Sequence, residues 1–217
     1  MAITMRVIHV SQSDLGGGAA RAAHRIHTAL RKSEVDSCMR VAWRIGDDAT
    51  VLHGRPRTIG RLRNKLRHEL SNFPLRAFRR TTGYDGPISV AWPNTGLGQE
   101  LAQEHCNIIH LHGLGSEMLS IEEIAALKQP VVWTLHDMWA LCGGEHYAGD
   151  DPSSRFRQGY FKYNAPSLES KLDINRWVWD RKRRHWKKPM SIVAPSRWLG
   201  RAACDSVLFS HSSITVI

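Results

Sequence analysis

No stretch of this chain approaches the ~20 consecutive apolar residues of a transmembrane helix, and its N-terminus lacks the charged, apolar and small-residue order of a signal peptide. A cytoplasmic location is the expectation. Cysteine is scarce: Cys38, Cys106, Cys142 and Cys204 stand far apart with no Cys-x-x-Cys, which argues for reduced thiols and against a zinc site or disulfide framework. The G-x-G-x-x-G spacing of nicotinamide and flavin sites is missing, as is any recognised nucleic-acid-binding motif. What remains is a 217-residue globular composition with room for one substantial core.

The net charge of +10 is local. Residues 55–80 hold nine Lys/Arg against Glu69, a net +8, and residues 176–188 hold seven against Asp180, a net +6, which leaves −4 for the rest. The first segment reads as a helix around Ile59, Leu62, Leu66 and Leu70, broken or kinked at Pro74. The second reads as an amphipathic helix marked by Ile174, Trp177, Val178 and Trp186, with both tryptophans at core spacing and a basic outer side. Each basic run is either a plain solvated face or a surface for an anionic membrane, an acidic substrate or nucleic acid.

The organising stretch is Val131-Val132-Trp133-Thr134-Leu135-His136-Asp137-Met138-Trp139, a short buried strand ending in His-Asp. In an open α/β sheet, ligands lie outside the carboxyl ends of the strands. His136 and Asp137 are therefore site candidates, against the plainer reading of a hydrogen-bonded histidine and a capping carboxylate. Arg6–Val10 reads as a first strand, followed by a turn through Gly16, Gly17 and Gly18 and a helix striped by Ala19, Ala23, Ile26 and Leu30. Three glycines at a helix N-terminus leave N–H groups open to an anion or a hydroxyl-rich ligand, or form only a flexible turn.

Residues 37–43 read as a second strand and 106–113 as another, with His110 and His112 on one side of it and His112-Gly113 at its carboxyl end. Without a third ligand at a recognisable spacing, these two histidines do not make a metal site. Ser120-Ile121-Glu122-Glu123 is a capping box, residues 139–164 are irregular, 190–194 form a strand, Ser196 and Arg197 open a helix, and 213–217 form a last strand. Alternating strands and helices predict an α/β fold, a mostly parallel sheet with helices on both faces.

Val7-Ile8-His9-Val10-Ser11 with Gly16–Ala23, then Ile109–Gly113, Pro130–Trp139 and Val193–Leu199, in this order, resembles the N-terminal half of a retaining, GT-B-fold family 4 glycosyltransferase of bacterial surface polysaccharide assembly. The resemblance implies a single Rossmann-like, acceptor-binding domain over 1–217, with the donor-binding domain absent and the chain alone inactive. It implies a nucleotide-sugar co-substrate, no other cofactor and no metal, and a glycan or lipid-linked acceptor. Gly16, Gly17 and Gly18 would lie against the diphosphate or acceptor, and His136 would match the active-site histidine near the transferred sugar. His112, Gly113, Asp137, Ser196 and Arg197 would line the same site. Peripheral contact with anionic membrane through 55–80 and 176–188 is expected, and nucleic acid is not. The competing reading is a non-catalytic cationic binding module. Relatives often carry cysteines around a Gly-Gly-Cys-His-Tyr stretch; here Gly143-Gly144-Glu145-His146-Tyr147 lacks them, so no metal or disulfide staple is implied there.

Overall fold

The computed structural model describes residues 5–53, 60–114, 118–169 and 171–217, and within 60–68 the backbone alone. Among these, seven parallel strands form one sheet in the order β3-β2-β1-β4-β5-β6-β7. They are β1 Arg6–Ser13, β2 Asp36–Trp43, β3 Val51–His53, β4 Ile108–Leu111, β5 Val131–Thr134, β6 Ser191–Ala194 and β7 Ser213–Val216. The helices are α1 Gly18–Lys32, α2 Gly60–Thr82, α3 Leu97–Gln103, α4 Ile121–Ala126, α5 Arg155–Gln158, α6 Ile174–His185 and α7 Arg197–Asp205. The chain runs outward from β1 to β3, then returns to lay β4 against the other side of β1. That reversal is the topological switch point, where such sheets open a crevice.

The switch gives the sheet unlike faces, because right-handed crossovers put the helices before and after it on opposite sides. One face carries Ile8, Val10, Ile109, Leu111, Trp133 and Ile192, in register across four strands and all buried. Leu97 and Leu101 of α3, Ile121 and Ile124 of α4 and Val178 and Trp179 of α6 complete this core. α7 lies on the same side, with Gly200 so close to Ala194 and Val216 that a Cβ there would come within 2.5 Å of the valine. The opposite face is polar along its centre: His9 and Ser11 of β1, His110 of β4 and Thr134 of β5 are buried on it. Over β1 and β2 this face is closed by α1, whose Ala23 meets Met39, Val41 and Val51 and whose His27 Nδ1 lies 2.7 Å from Ser37 Oγ. Beyond β5 it is thinly covered, since Val193 is half-buried and Ser191, Ser213 and Thr215 are exposed.

Three expectations need correction. Of the break or kink expected at Pro74, the break does not occur, since α2 runs from Gly60 to Thr82; burial of Leu75 and Phe78 anchors the half beyond the proline and outweighs one lost N–H. Trp177 is not a core residue: it is 37% exposed, while Trp186, just past α6, is buried. The basic run 176–188 is also not all outward. Arg181 and Lys182 are two of its seven cations, and both are buried. Arg55, Arg57 and Ile59 of the other basic segment lie outside the described residues, as do the side chains of Arg61, Leu62, Arg63, Lys65, Leu66 and Arg67. The stretch 139–164 contains α5 and a 3₁₀ turn over Lys162–Asn164.

Candidate active site

At the carboxyl end of β1 the chain turns through Ser13–Gly17 into α1. Asp14 fixes this turn: its carboxylate accepts from the N–H groups of Leu15 (3.0 Å), Ile45 (2.9 Å) and Gly46 (2.8 Å), tying the loop after β2 to the loop after β1. Burial works to raise its pKa, but these amides outweigh it and hold the carboxyl below its ordinary range. Gly17 stands before α1 at φ 103°, a left-handed value that favours glycine. No side chain caps the helix and no acidic residue occupies its first turn. Among the described residues, a Cβ built on Gly17 or Gly18 meets nothing within 4 Å, so none of them closes the uncapped helix N-terminus. Such a terminus suits an anion.

Beside it, Gly113 continues from β4. Gln12 N donates to Gly113 O at 2.9 Å, and a Cβ on Gly113 would lie 3.1 Å from Ala19 Cβ, so this position lets the β4 loop close on the start of α1. The neighbouring His112 is buried, with Nδ1 3.4 Å from His136 Nε2. At the switch-point end of the sheet, Gly113 thus adjoins the start of α1, just after the glycine turn, and His112 adjoins His136. His112, Gly113, His136, Asp137 and His146 line a small cleft there, about 20 Å³ in volume. The His136 pKa is lowered, by burial first, with Asp137 opposing.

Asp137 is committed elsewhere. Its Oδ2 lies 2.7 Å from His146 Nδ1, its Oδ1 accepts from Trp139 N at 2.9 Å, and His146 Nε2 lies 2.8 Å from Ser89 Oγ. The order Ser-His-Asp is that of a hydrolase triad. Ser89 is nevertheless buried, and its own N–H is spent on Gly144 O, so the group pins the loop after β5 and offers no nucleophile. Ser196 caps α7 through Leu199 N at 3.2 Å, and Arg197 is exposed in the first turn of that helix.

Two buried cations from α6 hold the loops on which the site stands. Lys182 Nζ donates to the carbonyls of Trp139, Cys142 (3.1 Å) and Gly143 (2.7 Å), using all three N–H of the charged form, and sits 3.8 Å above the Trp139 ring. Full burial pulls its pKa down to about 7. Arg181 pairs with Glu122 at 2.6 Å and donates to the carbonyls of Val90 (2.7 Å) and Ala91 (3.0 Å).

The sequence reading missed His9. His9, His110 and His112 offer ligand atoms within 4.8 Å of one another, the third histidine that spacing did not supply. Their arrangement does not suit a metal. His9 Nδ1 and His112 Nε2 face each other at 3.0 Å, His110 Nε2 is engaged with Thr134 Oγ1 at 2.8 Å, and the rings lie within 24–35° of parallel, so their in-plane lone pairs do not converge on one point.

A comparison with curated proteins finds no match. The sequence model described as Glycosyltransferase Family 4 matches residues 16–217, a span that opens on the glycine turn and takes in His112, Gly113, His136 and every strand from β2 to β7. A match over nearly the whole chain, on a parallel sheet whose switch point carries these residues, settles the family: the chain belongs to glycosyltransferase family 4.

Proposed function

We propose that this domain is the acceptor-side half of a retaining GT-B glycosyltransferase that moves a sugar from a nucleotide-sugar donor to a glycan or lipid-linked acceptor of bacterial surface polysaccharide synthesis. One observation carries the reading: in a chain of this family, the uncapped glycine N-terminus of α1, His112-Gly113 and His136 adjoin at the switch-point crevice. A departing nucleoside diphosphate gains negative charge; the N–H groups of Gly16 and Gly17 are spent within the turn on Ser13 Oγ and Leu15 O, and those of Gly18 and Ala19, at the start of α1, are the ones that stabilise it without reorganisation. His136 stands at the cleft as the group that orients the transferred sugar. Asp137 supports this indirectly, by fixing the loop after β5 through His146.

The test is an amide NMR titration of the 217-residue chain with UDP and GDP, beside a soluble glycan fragment. Shifts concentrated at Gly16–Gly18, Gly113 and His136, and weakened by His136→Ala, are the expected result. Shifts confined to other surfaces, or none at millimolar ligand, would remove the reading.

The acceptor's lipid side has a candidate contact. Between α2 and the start of α6 lies an apolar groove of about 570 Å³ containing Leu70, Phe73, Trp92 and Trp177. Phe73 is 76% exposed, with the exposed Arg76, Arg79 and Arg80 following it on α2. Exposed aromatics flanked by cations suit an anionic bilayer surface. Flotation with neutral and 30% anionic vesicles tests this: preference for the anionic set, lost in Phe73→Ser, supports peripheral contact, and equal recovery removes it.

A further inference from the structure

Three imidazoles connect the mouth of the crevice to the middle of the sheet. His136 Nε2 lies 3.4 Å from His112 Nδ1, and His112 Nε2 lies 3.0 Å from His9 Nδ1. A neutral imidazole has one N–H and one lone pair. His112 spends both nitrogens inside this chain, so if it donates in one contact it must accept in the other. Both hydrogen bonds therefore point the same way, and the tautomers of His9, His112 and His136 are set together. The surroundings keep the rings neutral: His9 and His112 are buried, and His110 packs its ring 4.1 Å from His112 and 4.9 Å from His9, where any charge would go unsolvated. His110 turns its own Nε2 to Thr134 and stays out of the chain.

Two directions are available. With protons pointing inward, the last N–H would sit on His9 Nε2, a buried atom without a hydrogen-bond partner among the described residues. Pointing outward, His9 Nδ1–H donates to His112 Nε2, His112 Nδ1–H donates to His136 Nε2, and His9 Nε2 keeps only a lone pair. A buried N–H without an acceptor is rarer in folded proteins than an acceptor short of a donor, which favours the outward direction. The final proton then lies on His136 Nδ1, which is not among the buried unpartnered atoms.

We propose that His9 and His112 are positioning residues that hold His136 as one neutral tautomer, its Nε2 accepting from His112 and its Nδ1–H offered to the crevice. This rests on His136 being the imidazole that meets the ligand, and it gives that residue a defined polarity. His136 is a hydrogen-bond donor to a ligand oxygen, such as a sugar hydroxyl or a phosphate oxygen. It is not a base, because its lone pair faces the protein.

Long-range ¹H–¹⁵N correlation spectra of the labelled 217-residue chain at pH 7.5 distinguish the two tautomers directly. The expected spectrum shows His136 as a single Nδ1–H form, the opposite of the Nε2–H form that free histidine favours. In His9→Leu the chain loses its first donor, and His136 shifts to a mixture of tautomers. In His9→Asn, whose amide reaches the place of Nδ1, the single form returns, a rescue that a purely space-filling role would not require. An Nε2–H His136 in the unaltered chain, or a His136 pattern indifferent to His9→Leu, would overturn the proposal. Should His9→Leu not fold, the unaltered spectrum still decides it. Because the readout needs no ligand, an Nδ1–H His136 in a chain that ignores nucleotide and glycan would leave this proposal standing while the functional reading fell.

Discussion

Acidification from pH 7.5 to 5.5 should cost this fold a large share of its stability, and the histidines on the polar face of the sheet are the reason. Burial, the largest cause in each case, lowers the pKa of His9 to about 3 and of His27 and His110 to about 4, and His112 is pushed lower still. The unfolded chain binds protons on these rings as pH falls through 6.5, whereas the folded one resists until far lower. Stability present above pH 6.5 is therefore lost on acidification. Over this interval each ring accounts for about 1.4 kcal/mol, and the four together for somewhat over 5. Glu169 opposes them: burial and Asp173 raise its pKa to about 7, so it protonates in the fold first and returns about 2 kcal/mol. Lys182, lowered to about 7, adds a further loss of about 1 kcal/mol. The net loss is about 4 kcal/mol, against a total of ~5–15 for a typical domain. For a chain of this length that corresponds to a fall in Tm of roughly 8–16 °C. Thermal melts by circular dichroism at the two pH values, with urea midpoints beside them, measure it. His110→Gln keeps a partner for Thr134 and removes one titrating ring, and should take about 1.4 kcal/mol out of the difference. A Tm that moves by less than about 3 °C would refute the claim that these rings are buried and neutral.

Lys182→Met removes the only ammonium reaching the carbonyls of Trp139, Cys142 and Gly143 among the described residues, and should lower stability by about 3 kcal/mol in urea unfolding; a loss below 1 would mean the loop is held otherwise. Gly143→Ala places a Cβ 2.4 Å from Asn175 O, a backbone atom that cannot swing away, and should cost about 2–3 kcal/mol in the same assay. Gly18→Ala, with no described side chain near its Cβ in the first turn of α1, should change stability by about 0.5 kcal/mol or less, and under the proposed function should weaken UDP or GDP binding measured by calorimetry. Arg181→Met should destabilise by about 3 kcal/mol through the stranded Glu122 carboxylate and the two uncapped carbonyls, and a salt-independent urea midpoint equal to that of the unaltered chain would contradict its buried role.

Much of the frame was legible because its signals are local. The short apolar runs marked every described strand except the three-residue β3, and the short helix α3 also went unread; the Ser120–Glu123 capping box forms as expected, with Glu123 N donating to Ser120 Oγ at 3.0 Å, and the triple glycine sits at the start of α1. What escaped depends on which strands become neighbours. His9 and His110 are about a hundred residues apart, and only the β1–β4 register puts them side by side. Arg181 and Lys182 sit in a run of cations that composition assigns to solvent, yet helical phase turns these two inward onto loop carbonyls whose need for donors the sequence does not announce. Trp177 fitted a core spacing, but the surface of α6 facing α2 closes incompletely and leaves it at a groove. Asp137 was read with His136 as one pair. β5 ends at Thr134 and both residues lie in the bend that follows, which carries them apart, one toward His112 and the other toward His146.

The unlike faces of the sheet also bear on how faithfully the chain can assemble. A one-residue slip of β4 against β1 would turn His110 and His112 toward the side filled by Trp133, Trp139 and Trp186, and bring Ile109 and Leu111 out among serines and threonines. With β4 only four residues long, hydrogen-bond ladders alone discriminate weakly between such alignments. The imidazoles add the missing discrimination, because a slipped alignment would bury their nitrogens among apolar rings without partners.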